Sequence, residues 1–155
     1  MPVRATNFHG TAVMLGTRGI LFVGPSGIGK SMMAFQCLGI ARRRGFASAL
    51  VCDDQVLLHG EEARVIATCP SSIAGLLELR GSGIIRMDHV EQADLDLVVQ
   101  VVCLADADRL PPEQERWRPA EDIDLPLVRI ANTAPDPLLV IGGVMAEWRS
   151  DPLFW

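Results

Sequence analysis

The octapeptide Gly24-Pro25-Ser26-Gly27-Ile28-Gly29-Lys30-Ser31 constrains this chain most tightly. Its glycines allow backbone angles in which successive N–H groups turn inward, a concavity suited to anions. A helix beginning at its end adds a partial positive charge. Gly-x-x-x-x-Gly-Lys-Ser is the Walker A pattern. In that pattern Lys30 reaches the β- and γ-phosphates of a nucleoside triphosphate and the Ser31 hydroxyl ligates Mg²⁺. The flanks agree, with an apolar strand over residues 20–23 and a helix over 31–44 that puts Met33, Cys37, Leu38 and Ala41 on one face. Arg42, Arg43 and Arg44 close the helix where positive charge is favourable, and Gly45 is placed to end it. Lys30 is the only lysine among fourteen basic residues. A chain that otherwise uses arginine keeps its one ammonium where phosphate is expected.

At 155 residues the sequence is read as one domain, residues 1–155. A net charge of −5 argues against nucleic acid or an anionic membrane as partner. No apolar run reaches the length of a membrane span, and the first residues lack the apolar core of a leader. Cys37, Cys52, Cys69 and Cys103 show no zinc spacing and read as small buried hydrophobes in a reduced, cytoplasmic protein.

Residues 11–15 and 19–23 read as a strand pair around Gly16-Thr17-Arg18-Gly19. Residues 48–52 form a strand ending in Asp53-Asp54, and 55–58 with 64–69 form a hairpin around His59-Gly60-Glu61-Glu62. Residues 73–79 read as helical and 95–104 as a buried strand. A loop follows over 109–126, then a strand over 125–130 and a helix over 138–148. The class is α/β with a mixed sheet and helices packed on it.

A phosphate loop needs a carboxylate at a neighbouring strand end to hold Mg²⁺. Pattern alone offers Asp53-Asp54 or Asp106. Adjacent carboxylates raise each other's pKa, which suits a base that takes a hydroxyl proton. On pattern alone Glu78 and Arg80 are the solvated end of a helix, and His9 is a surface histidine.

Taken in order, His9, the loop, Leu50-Val51-Cys52-Asp53-Asp54, and the run from Pro70 through Glu78-Leu79-Arg80-Gly81-Ser82-Gly83-Ile84-Ile85 resemble the catalytic domain of the HPr kinase/phosphorylase family. The short alphaproteobacterial form is the most similar, and the resemblance spans residues 5–130. It implies a phosphoenolpyruvate carboxykinase-like nucleotide-binding fold. It also implies ATP- and Mg²⁺-dependent phosphorylation of a serine on the phosphocarrier HPr, with phosphorolysis as the reverse, and a hexamer. By resemblance Lys30 contacts phosphates, Ser31 and Glu78 hold Mg²⁺, Asp54 accepts the proton beside Asp53, His9 lies against that pair, and Arg109 stabilises the transferring group. Asp106 then drops out as metal ligand.

Three departures bear on this. Met32 stands where the family usually has an acid. The stretch between loop and aspartates is longer here. Val128-Arg129-Ile130-Ala131-Asn132 replaces a Pro-Gly-Arg-rich segment tied to the reverse reaction. A small-molecule phosphotransferase and a non-catalytic ATP sensor are the competing readings. The C-terminal Pro152-Leu153-Phe154-Trp155 is expected to be folded back or disordered rather than an interface.

Overall fold

Two continuous apolar runs flank a tight turn and form strands buried on both faces. In the computed structural model, which describes residues 4–155, β1 (Thr6–Leu15) and β2 (Arg18–Val23) pair antiparallel, with Thr11 opposite Phe22. β1 begins earlier than its hydrophobic pattern suggests, because its other edge pairs along its length with β3 (Ser48–Glu61). Between them comes α1 (Lys30–Arg43), ended by Gly45 at φ 86°.

β3 is one strand rather than two. It runs through Asp53-Asp54, and its hairpin with β4 (Arg64–Thr68) turns at Glu62-Ala63, both at positive φ. Gly60, which resembles a turn residue in sequence, instead lies within the strand. A Cβ there would collide with the backbone of Asp122, so the glycine serves close approach. Residues 73–79 are not a helix. A 3₁₀ turn at Ser71–Ile73 gives way, past Gly75 at φ 76°, to β5 (Leu76–Leu79), which pairs with β6 (Gly83–Arg86) as a separate hairpin. Leu77 and Leu79 are buried and Glu78 exposed, a period of two that prevails over helix propensity.

The rest is β7 (Gln92–Asp94), β8 (Leu97–Val102), β9 (Arg116–Ala120), β10 (Ile123–Ala131) and α2 (Pro137–Val144). β9 occupies part of the expected loop. The expected C-terminal helix is split into α2 and a 3₁₀ turn at Ala146–Trp148. The main sheet has eight strands ordered β7-β4-β3-β1-β2-β8-β10-β9. It is parallel only at β2/β8 and β8/β10, so it is mixed as expected.

Alternation divides the core. Ile20, Phe22, Leu97, Val99 and Val101 face α1 and α2, while Leu21, Val98, Val51 and Leu58 face away. The curl of the sheet itself closes the second face. Phe8 of β1 meets Trp117 of β9 edge-on at 5.3 Å, and the Gly60 N–H donates to the Asp122 carboxylate at 2.9 Å. Arg44 does more than complement its helix end. It pairs with Asp136, the N-cap of α2, and donates to the Leu153 carbonyl at 2.6 Å.

Among the described residues no helix is long and apolar enough to cross a membrane. Cys52 and Cys69 are not independent thiols. They form a disulfide at a Cα–Cα distance of 5.1 Å, across a 17-residue separation with no signature of its own. The C-terminus folds back, with Leu153 and Phe154 buried and Phe154 against Trp148 at 5.0 Å. Phe154→Ala is therefore expected to cost about 3–5 kcal/mol by urea denaturation. A midpoint equal to wild type would return the last residues to a peripheral role.

Candidate active site

β2 delivers the chain to the loop, and α1 starts at Lys30 with no side-chain cap on its first N–H groups. Gly27 and Gly29 adopt φ of 83° and 110°, which L side chains rarely reach, so the loop's curvature depends on them. Asn132, just past β10, donates its amide to the Ile28 carbonyl at 3.3 Å and ties the loop to the sheet. The Lys30 ammonium is buried and donates to the loop carbonyls of Gly24 at 2.8 Å and Pro25 at 3.0 Å. Burial lowers its pKa below the ordinary lysine value, and the charges of Asp53 and Asp54 pull it back up.

The two aspartates, adjacent in sequence, have opposite environments. Asp53 lies opposite Thr11 in the β1–β3 register and is 6% exposed. Its Oδ1 accepts from the Thr11 hydroxyl at 2.7 Å and the Ser31 hydroxyl at 2.7 Å, and its Oδ2 from the Glu78 N–H at 3.1 Å. Asp54 has φ 74°, an uncommon backbone angle that turns its side chain outward. Its carboxylate, 66% exposed, pairs with His9 Nε2 at 2.8 Å. The register slip between Ala12 and Val13 lies just beside this pair, where β3 carries an extra residue.

These groups line a cavity of about 300 Å³ formed by His9, Thr11, Ser26, Gly27, Gly29, Lys30, Ser31, Met32, Asp53, Asp54, Glu78 and Arg80. Every expected site residue from His9 to Glu78 is gathered here or belongs to the loop. Arg109 is not. It is exposed on the segment after β8, outside this lining, as is Asp106. Thr11 and Arg80 are additions. Thr11 has no sequence signal beyond its strand, whereas Arg80 is two residues from Glu78, a spacing that shares one face in a strand but not in a helix. No group of three or more His, Cys, Asp and Glu side chains among the described residues stands in metal-binding geometry. The Ser31 hydroxyl with one or two carboxylates, completed by water and phosphate oxygens, is nevertheless how Mg²⁺ is commonly held.

A strand, a glycine-rich loop, a helix, and an acidic pair on the next strand but one define a P-loop nucleotide-binding domain with a phosphotransfer-type pocket. The profile of the HPr Serine kinase C-terminal domain matches residues 3–134, and the chain belongs to that family. Among its relatives is the HPr kinase/phosphorylase of Clostridium beijerinckii, 36% identical over 119 residues, 77% of this chain and 35% of that protein. That of Geobacillus thermodenitrificans is 34% identical over 152 residues, 91% of this chain and 47% of the relative. The chain thus spans less than half the length of either. Among solved structures, the Hpr(Ser) kinase/phosphatase from Coxiella burnetii superimposes with a TM-score of 0.70 at 25% identity, covering 93% of this chain and 96% of that one.

The two aspartates are separable by stability. Asp53→Ala strands the Thr11 hydroxyl and the Glu78 N–H and is expected to cost roughly 1–3 kcal/mol. Asp54→Asn, at an exposed position suited to either residue, should stay within about 0.5 kcal/mol. Urea denaturation of both variants checks this, and equal losses would contradict the contrast.

Proposed function

We propose that this protein transfers the γ-phosphoryl group of ATP, with Mg²⁺, to a serine hydroxyl of an HPr-type phosphocarrier protein. The His9–Asp54 pair carries the proposal: an exposed carboxylate, oriented by an imidazole, in the same pocket as Lys30 and Ser31. A hydroxyl on another protein can reach Asp54, whereas Asp53 is buried and already accepts three hydrogen bonds.

In this scheme the loop N–H groups and Lys30 hold the phosphates, with Lys30 exchanging its loop carbonyls for phosphate oxygens. Asp54 takes the proton as the serine oxygen attacks phosphorus, and His9 keeps the Asp54 carboxylate in place. Asp53 fixes the Ser31 hydroxyl as a donor, which leaves the serine lone pairs free for a cation. Mg²⁺, when bound by Ser31 and Glu78, supplies charge neutralisation at the phosphates. Arg109, given charge stabilisation by resemblance, is exposed outside the pocket lining. Relatives named HPr kinase/phosphorylase support HPr as acceptor. The kinase direction is the better supported, because Arg129, in the segment that replaces the Pro-Gly-Arg run, is engaged by Glu115 at 3.0–3.1 Å. Action in the cytoplasm as a hexamer completes the proposal.

Incubation with ATP, Mg²⁺ and purified HPr should add one phosphoryl group to HPr by intact mass. Turnover of small acceptors alone would replace the proposal with a small-molecule phosphotransferase. ATP binding without turnover would replace it with a sensor, to which the exposed Met32 in the pocket would then point.

The carboxylate roles are tested by turnover against Mg²⁺ concentration. Asp54→Asn should lose about 10²–10⁴ in rate, unrecovered by excess metal. Glu78→Gln should instead recover part of its activity at high Mg²⁺. Equal rescue of both variants would mean that the roles are misassigned.

A further inference from the structure

Outside the pocket lining, the fold carries one covalent tie that the proposed phosphotransfer does not use. The disulfide joins Cys52, the residue before Asp53, to Cys69, the residue after β4. β3 pairs with β1 from Ser48 to Leu58. On its other side β4 pairs only with Leu57–Glu61, and a bridge from His89 meets Leu50. Between those points, over residues 51–56, β3 has no backbone pairing on that side among the described residues. Two ties connect this stretch to the chain past β4. One is the disulfide, and the other is the Glu78 N–H, which donates to Asp53 Oδ2 at 3.1 Å. Both engage the same run of chain, from Cys69 through Pro70, the 3₁₀ turn at Ser71–Ile73 and Gly75 into β5.

The pair is accommodated in both redox states. Cα atoms 5.1 Å apart suit a disulfide without backbone movement. A thiol at Cys52 is satisfied as well, because its Sγ lies 2.9 Å from the Gln55 carbonyl oxygen and donates to it. Cys52 is fully buried whereas Cys69 is half-buried, so an incoming thiolate has one sulfur to attack. Cys37 and Cys103 remain free thiols. One partly reachable bond beside two unpaired cysteines suits an exchangeable disulfide better than a disulfide scaffold.

We propose that Cys52 and Cys69 are a thiol–disulfide exchange site, reduced by a dithiol, whose state sets how firmly β5 is held on Asp53. The consequence for Mg²⁺ rests on the proposed phosphotransfer, whereas the exchange itself does not. In reduction a thiolate of the dithiol attacks Cys69 Sγ and the S–S bond breaks. A mixed disulfide forms on Cys69, and Cys52 leaves as a thiolate that takes up a proton. The second thiol of the reductant then attacks the reductant's own sulfur in that mixed disulfide and releases Cys69 as a thiol. Two electrons and two protons reach the protein, and the dithiol ends as a disulfide. Glutathione disulfide reverses the change and ends as two glutathione thiols. With the bond open, the run into β5 is tied to residues 51–56 by the Glu78–Asp53 hydrogen bond alone. Glu78 is then held less firmly beside Ser31.

The test uses the full chain, oxidised with glutathione disulfide or reduced with dithiothreitol, beside Cys69→Ser and Cys103→Ser. Thiol titration should find Cys37 and Cys103 alone in the oxidised protein and all four cysteines in the reduced one. Reduction should lower the melting temperature by roughly 5–10 °C. Amide exchange over residues 76–79, read by mass spectrometry, should speed up about tenfold. The Mg²⁺ concentration for half-maximal binding of a non-hydrolysable ATP analogue should rise several-fold. Cys69→Ser should match the reduced protein and ignore dithiothreitol, while Cys103→Ser should keep the response. Four thiols after glutathione disulfide, or a bond that dithiothreitol opens only in urea-unfolded protein, would overturn the proposal. So would equal exchange over 76–79 or an equal Mg²⁺ requirement in the two states, since a merely stabilising disulfide moves only the melting temperature. If Cys69→Ser does not fold, the two wild-type states decide. If neither state phosphorylates HPr, the proposed acceptor fails, and thiol counts with amide exchange still decide the switch.

Discussion

A single buried carboxylate organises this domain around its pocket. Asp53 accepts from Thr11 of β1, Ser31 of α1 and the backbone of Glu78 in β5, so three elements distant in sequence converge on one anion. A buried charge is tolerated only when it is hydrogen-bonded, and here its donors are the parts that must be held in register for phosphate chemistry. The Ser31 hydroxyl is fixed relative to the sheet, and β5 is drawn toward the loop with Glu78 on it and Arg80 just past its end. The second core and the curl of the sheet support this junction, because they set where β1 and β3 run.

The neighbouring aspartate has the opposite character. A positive φ turns Asp54 out of the strand's normal alternation. Two consecutive carboxylates can then serve different ends, one structural and buried, the other open and paired with His9. An unstrained strand would also place them on opposite faces. Here the distortion keeps both on one cavity, and the pairing of β3 with β1, Gly10 opposite Asp54, retains the uncommon backbone angle.

The C-terminal region shows packing deciding against sequence pattern. Pro152-Leu153-Phe154-Trp155 resembles a loose apolar tail, yet Phe154 is fully buried against Trp148 and Gly142, and Arg44 fixes the Leu153 carbonyl. Arg44 thereby links the end of α1 to the start of α2 and to the terminus. That role has no local signal, since a basic residue at a helix end is already explained by the helix dipole.

Local sequence determined what depends on short-range geometry. The octapeptide and its flanks define strand, phosphate loop and helix, because only glycines accept those backbone angles and because Lys30 and Ser31 follow at fixed distance. The ordered set of His9, the aspartates and Glu78 was legible as well, though only through the arrangement of distant motifs. Tertiary structure decided what depends on partners far along the chain. It made residues 76–79 a strand, since β6 supplies hydrogen bonds and the core takes Leu77 and Leu79. It kept β3 continuous through Asp53-Asp54, paired Cys52 with Cys69, and put Gly60 at a close approach instead of a turn. It brought Arg80 over Gly27 and left Arg109 outside. Each of these outcomes is a contact between residues whose separation in sequence carries no period, and only the packed sheet brings them within reach.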